Sequence, residues 1–216
     1  MMPSHLLVLK YEFVKQIVCD EGFSDEINWQ RNINFEDLNE STLLREIAWV
    51  ILSTGMKEQI IRRLFKKISL CFFNWESAKK IIDNKQRCYN DAIQIFRNKR
   101  KISAIVESSE IVDEIGFSML KKMISKDPID TLKVFPFIGK TTVYHLAKNI
   151  GVCVAKPDRH LVRIAEEEGF NDVQDFCRTI SDLSGDSVPV VDIVFWRFAN
   201  LTRDYLEVLS TINFTK

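Results

Sequence analysis

The sequence predicts an all-α protein, and three observations carry that reading. Apolar residues recur at helical spacing along almost the whole chain, and strand-like alternation is sustained nowhere. Only 7 Gly and 5 Pro are spread over 216 residues, too few for the many tight turns of a sheet-rich fold. The length and a 46% hydrophobic content suit one sizeable core or two small lobes rather than a long multidomain chain.

The first helix is expected over His5–Ile17, apolar on one face but carrying Lys10, Glu12 and Lys15. It is too short and too charged to span a membrane and reads as a helix docked on a core. Leu43, Leu44, Ile47, Ala48 and Ile51 form the next stripe, with Ser41 or Thr42 as its N-cap. A tight turn over Ser53–Met56 leads to a second stripe, Ile60, Ile61, Leu64, Phe65 and Ile68, backed by Lys57, Arg62, Arg63, Lys66 and Lys67. Further helices are expected near 75–82, 88–97, 100–113, 117–124 and 128–134, then near 140–150, 158–168, 172–183 and 189–208. No Pro/Gly/Ser linker divides the chain, so a two-lobe arrangement would have to come from helix packing, with the chain leaving one lobe and returning to it.

The formal net charge is +0, so any footprint for a polyanion must be local. Five cysteines (Cys19, Cys71, Cys88, Cys153, Cys177) lie far apart with no C-x-x-C pair. That spacing excludes the usual zinc and iron–sulfur patterns, and the odd count speaks against a disulfide framework. With no signal peptide ahead of the first helix, the expected location is cytoplasmic, or nuclear in a eukaryote.

The informative stretch is Phe135-Pro136-Phe137-Ile138-Gly139-Lys140-Thr141-Thr142, followed by Lys156-Pro157-Asp158-Arg159-His160. Asp127-Pro128 is a strong helix start, with Asp as N-cap and Pro at the first helical position. That helix should stop before Pro136. Gly139 then permits an unusual backbone angle, and Lys140 opens the next helix, which Gly151 ends as a C-cap. A hairpin between two helices exposes main-chain N–H groups at a helix N-terminus, a ready seat for a phosphate oxygen. The plainer alternative is an ordinary turn between core helices. Asp158, after Pro157 and before an amphipathic run, has the plain role of a helix cap. Its functional role is a fixed negative charge, which stabilises the oxocarbenium-like sugar formed when an N-glycosidic bond breaks.

At these residues the sequence resembles the helix-hairpin-helix DNA glycosylase superfamily, whose motif runs roughly L-P-G-[VI]-G-x-K-[TA]-A with a V-D-x-H on the next helix. Ile51-Leu52-Ser53-Thr54-Gly55-Met56-Lys57-Glu58 and Phe96-Arg97-Asn98-Lys99-Arg100-Lys101-Ile102 resemble further family segments, so the similarity covers about residues 40–168. The resemblance implies two helical lobes, 36–134 and 1–35 plus 135–216, with the hairpin motif and an active site in the cleft between them. It implies base-excision activity on double-stranded DNA holding a damaged or modified base, by base flipping, in a protein expected to be a monomer without a membrane anchor. Asp158 takes the place of the essential aspartate. Main-chain N–H groups of Phe137, Gly139 and Thr141 would hold a phosphate, with Ile138, Lys140 and Thr142 completing the hairpin. Carbonyls of Lys133, Phe135 and Ile138 would share a monovalent cation.

Departures from the pattern sharpen the expectation. Thr141 stands where lyase members carry a Schiff-base lysine, and Lys140 lies a hundred degrees away around the helix, so strand cleavage should be absent. A bifunctional lyase through Lys140 or Lys148 and a non-catalytic DNA-binding module are the alternatives. Phe137 replaces the first hairpin glycine, and Gly55 stands where a gap-filling glutamine is common. The cysteines of the iron–sulfur branch are missing, which implies no such cluster. Thr141, His145, Tyr144 and Trp196 (the last with Arg197) are the candidate pocket residues. Each also has a structural reading as core or lobe-interface packing, and the same holds for Trp49 and Trp75. His160 is expected to support Asp158. Arg97, Lys99, Arg100 and Lys101 form the best local basic run, with Arg97, Lys99 and Lys101 as candidate phosphate contacts.

Overall fold

The computed structural model describes residues 4–212, and every regular element among them is helical. In chain order these are α1 (Ser4–Val18), α2 (Ser24–Asn32), α3 (Glu40–Ser53), α4 (Glu58–Cys71), α5 (Ala78–Asp83), α6 (Lys85–Ile95) and α7 (Lys99–Ile115). They continue with α8 (Phe117–Lys126), α9 (Pro128–Leu132), α10 (Thr142–Asn149), α11 (Arg159–Glu167), α12 (Val173–Ser184), α13 (Val188–Leu201) and α14 (Tyr205–Thr211). No helix among the described residues is long and apolar enough to cross a membrane.

The chain divides into two compact units: an outer one, 1–33 with 153–216, and an inner one, 34–152. In the outer unit α13 is the central element, buried along most of its length and packed by α1, α2, α11 and α12. Leu7, Tyr11, Val14, Leu161, Ile164, Phe176, Ile180, Val194, Phe195 and Phe198 form its core. In the inner unit α3 and α7 pack together, with α4 and α10 also against α3. The expected stripes supply its core: Leu43, Leu44, Ile47, Ala48 and Ile51 are buried, as are Ile61 and Ile68 of α4, while Arg62, Arg63, Lys66 and Lys67 face solvent. The segment 133–149 belongs to this unit by its packing, because α10 lies on α3 and α9.

Several expectations need correction. Asn39, not Ser41 or Thr42, caps α3: its side chain accepts from the Thr42 N–H at 2.9 Å. Helix α2 was not foreseen, because it buries only Ile27 and Gln30 and so shows almost no apolar stripe. The expected helix 189–208 is two helices, broken between Leu201 and Tyr205. The helix expected from residue 75 starts at Ala78, because Phe73, Asn74 and Trp75 all take positive φ (+53°, +52°, +65°). Each such residue costs about 1–2 kcal/mol. The turn drives the Trp75 ring inward to stack on Phe72 at 5.0 Å, with its indole N–H donating to Ser69 Oγ at 2.9 Å. Trp75 is therefore core, as its plainer reading had it.

The end of α10 explains one glycine completely. Val152 N–H donates to the Ala147 carbonyl and Gly151 N–H to that of Lys148, the paired bonds of a Schellman cap. Gly151 has φ +92°, and a Cβ there would lie 2.3 Å from the Phe35 nitrogen and 2.6 Å from the Asn34 carbonyl carbon. Both the backbone angle and the close approach demand glycine.

Candidate functional site

The helix start at Asp127-Pro128 stands as expected. Asp127 caps α9, accepting from the Asp130 N–H at 3.1 Å, with Pro128 at the first position. The helix ends at Leu132, and Phe135–Ile138 makes a four-residue turn closed by Ile138 N–H donating to the Phe135 carbonyl at 3.2 Å. Pro136 occupies the second place and Phe137 the third, with φ +64°. This is the corner where a type II turn requires positive φ and favours Gly or Asn. The unusual angle thus falls on Phe137 and not on Gly139, whose φ is ordinary. Holding a phenylalanine there costs about 1–2 kcal/mol. Thr142 staples the loop: its hydroxyl accepts from Gly139 N–H at 2.7 Å and donates to the Phe137 carbonyl at 3.1 Å.

This fixes the donors available to an anion. The Gly139 N–H, one of the three expected phosphate ligands, is already satisfied by Thr142. The N–H groups of Phe137, Lys140 and Thr141 have no partner among the described residues. Lys140 and Thr141 are exposed, whereas Ile138 is buried and offers only its main chain. Of the expected cation ligands, the Phe135 carbonyl closes the turn, and Lys133 carries an ammonium paired with Asp130 at 2.7 Å. Tyr144 and His145 follow on α10, both half-buried, while Lys148 is buried.

The basic run separates into two kinds of residue. Arg97, Lys99 and Arg100 are exposed. Lys101 is only 5% exposed, and its ammonium donates to the carbonyls of Leu52 (2.7 Å) and Thr54 (2.5 Å) at the end of α3. It satisfies carbonyls that a helix end leaves open, so the expectation of a phosphate contact is corrected for this residue. Burial holds its pKa below the usual lysine value.

Asp158 is the N-cap of α11, with φ −85° and ψ 170°. One carboxylate oxygen, Oδ1, accepts from the N–H groups of His160 (2.9 Å) and Leu161 (3.1 Å). The second, Oδ2, has no hydrogen-bond partner among the described residues, and the side chain is half-buried. His160 supports the aspartate through its main chain; its imidazole Nδ1 instead meets the Tyr205 hydroxyl at 3.2 Å. Burial pulls the His160 pKa below its ordinary value, against the opposing influence of Asp158.

The segment leading to Asp158 is clamped by residues that sequence reasoning missed. Gln174 accepts from the Ala155 N–H at 2.9 Å and donates to the Ala155 carbonyl at 2.5 Å. Asp192, 1% exposed on α13, accepts from the Lys156 N–H. A polar residue at a buried position of an otherwise apolar helix was the available signal for Asp192; the sequence carries none for Gln174. Trp196, also on α13, is half-buried against the outer core, with the Arg197 guanidinium 4.8 Å from its ring centre. Arg197 also lies over Phe23 at 4.2 Å and makes two bonds to Glu26, at 2.8 and 2.7 Å.

Farther along the same unit, Asp186 gathers Tyr11 (2.7 Å), Lys15 (2.6 Å) and Arg31 (2.9 Å). Burial acts to raise its pKa, but these donors outweigh it and hold the carboxyl below its usual value. Lys10 and Glu168 form a buried pair at 2.7 Å. Both networks tie α1 to the rest of the unit that carries Asp158. A scan against protein-family models, a search of curated proteins and a search of solved structures each found no match.

Proposed function

We propose that this protein is a monofunctional DNA base-excision glycosylase. Its substrate is duplex DNA with a damaged or modified base, flipped from the stack before cleavage. The observation that carries the reading is the state of Asp158: a carboxylate fixed through one oxygen by two main-chain N–H groups, with the other oxygen unengaged among the described residues. A plain cap needs only the first oxygen. The unengaged oxygen suits a group that stabilises positive charge on the deoxyribose and orients a water molecule toward C1′. Water adds at C1′ as the C1′–N bond breaks, and the base leaves with its electron pair and a proton.

The hairpin of the inner unit supplies the grip. Three N–H groups without a partner among the described residues and the Lys140 ammonium suit a phosphate, and Arg97 and Lys99 add exposed charge. Thr141 cannot form a Schiff base, and Lys148 is buried, so the reading includes no lyase step. Borohydride trapping should yield no covalent DNA adduct.

The test is release of free base from a panel of modified-base duplexes, scored as abasic sites. Wild type should release base from at least one of them. Asp158→Asn keeps the cap, since Asn and Asp cap about equally well, and should keep DNA binding while abolishing release. Binding without release across the panel would establish the non-catalytic reading instead.

A further inference from the structure

The fold sorts charge that the whole chain conceals. Residues 34–152 hold 20 Lys and Arg against 14 Asp and Glu, a formal +6, while the remainder holds 10 against 16, a formal −6. Any electrostatic pull on a polyanion therefore comes from the inner unit.

Within that unit the cations are of two kinds. Some are engaged: Lys79 pairs with Asp83 at 3.3 Å, Lys80 with Glu76 at 2.6 Å and Lys85 with Glu110 at 3.1 Å. Others are exposed and have no acidic partner among the described residues. Lys57, Arg63, Lys66 and Lys67 place four of these at the start and along the outer face of α4. The corner between α6 and α7 adjoins them. Arg87, in the first turn of α6, lies over the ring of Phe73, just past the end of α4, at 5.7 Å. With α6 packed on α4, the two helices run antiparallel, and the end of α6 returns to the start of α4. The Lys101 ammonium fixes the same placement, since it meets the Leu52 and Thr54 carbonyls just ahead of Lys57. Arg97, Lys99 and Arg100, exposed and likewise unpaired among the described residues, extend the cationic surface.

This arrangement works against the helix that carries it. Arg63 lies three and four residues from Lys66 and Lys67, where like charges repel. Lys57, at the N-cap, opposes the helix dipole. A partner with closely spaced anions reverses both effects. A lipid surface would want apolar side chains beside the cations, yet α4 turns Ile61 and Ile68 inward, and Leu70 in its last turn is its one exposed apolar residue. From Lys57 to Lys67 the helix rises about 15 Å, the length of about four base pairs of a duplex.

We infer that the outer face of α4, with the corner at 97–100, is a second DNA surface, holding duplex phosphates apart from the turn before α10. This rests on the protein acting on DNA, as proposed above. The surface reads no base, so it adds affinity and salt dependence on every sequence.

Two triple variants of equal charge test it. Arg63→Gln with Lys66→Gln and Lys67→Gln removes unpaired cations of α4, whereas Lys79→Gln with Lys80→Gln and Lys85→Gln removes paired ones. On an unmodified duplex, read by fluorescence anisotropy, the first should lose about tenfold or more in affinity at about 50 mM salt. Its slope of log affinity against log salt should flatten by about two to three, while the second variant keeps the wild-type slope. The first should melt at the wild-type temperature or above, because glutamine ends the repulsion and suits a helix. An unchanged slope for the first variant, or equal losses in both, overturns the inference while leaving DNA binding intact. So does wild-type protein that prefers vesicles of phosphatidylserine and phosphatidylcholine to the duplex, which assigns the face to a membrane. A low-salt dimer that the first variant abolishes, with duplex affinity unchanged, overturns it in favour of the acidic unit of a second copy. Binding that depends on α4 without base release from any modified duplex refutes the glycosylase reading and upholds this surface. A wild type that binds no duplex refutes both.

Discussion

Replacing Lys101 with methionine distinguishes a buried helix cap from a surface phosphate contact. Methionine matches the length of the stem and removes the ammonium, leaving the Leu52 and Thr54 carbonyls without their donor. Each charge-assisted bond is worth about 1.5–3 kcal/mol. Part of that is returned, because the buried ammonium no longer has to be desolvated, an opposition visible in the lowered pKa of Lys101. The net loss should be about 2–4 kcal/mol. For a chain of this size that lowers the melting temperature by roughly 4–16 °C. Urea unfolding should show a lower midpoint at unchanged slope, the mark of lost stability without a change in compactness. Affinity of the folded fraction for duplex DNA should be unaltered. Under the proposed function Arg97→Ala and Lys99→Ala should do the reverse, shifting stability by less than about 0.5 kcal/mol and weakening DNA binding most at low salt. A Lys101→Met protein with an unmoved midpoint and weakened DNA binding would refute the assignment of this lysine to the end of α3.

Two further perturbations probe the unit that carries Asp158. Gln174→Leu leaves the N–H and carbonyl of buried Ala155 unpaired and should cost about 1–3 kcal/mol; under the proposed function it should slow single-turnover base release more than it weakens DNA affinity. Unchanged release beside a lowered melting temperature would confine Gln174 to holding the fold. Asp186 has a folded pKa below its unfolded value of 3.8. Its ionisation therefore contributes stability that is present above that pH and is lost as pH falls through the folded pKa. Asp186→Asn should flatten the acid limb of a stability profile below about pH 4, measured by urea midpoints. An acid limb of unchanged steepness would assign acid sensitivity to other carboxyls.

What the sequence made legible followed from short-range chemistry. The stripes of α3 and α4, the Asp127-Pro128 start and the Asp158 cap depend on neighbours within one or two turns, and each stands where the pattern put it. What escaped it depended on partners far along the chain. Lys101 reads as one more member of a basic run until α3, 47 residues earlier, supplies carbonyls for it. The clamp on Ala155 joins positions 19 residues apart, and that on Lys156 positions 36 apart. The glycine at 139 invited a backbone argument, yet the strained angle settled on Phe137 because Pro136 fixes where the turn must reverse. Helix α2 lacked a periodic signal, since Ile27 is the one apolar residue it buries.

The close approach of Gly151 to the Asn34–Phe35 peptide has a consequence for how the chain is assembled. The inner unit begins and ends at one spot on its own surface, with the incoming and outgoing backbones touching. A segment whose two ends coincide behaves as an insert: it can close on itself while the remainder needs only a short bridge where it was interrupted. Residues 34–152 meet that condition, so a bridge of a few residues from Ile33 to Cys153 should let the outer helices fold without them, and joining 152 back to 34 would make the inner helices a ring.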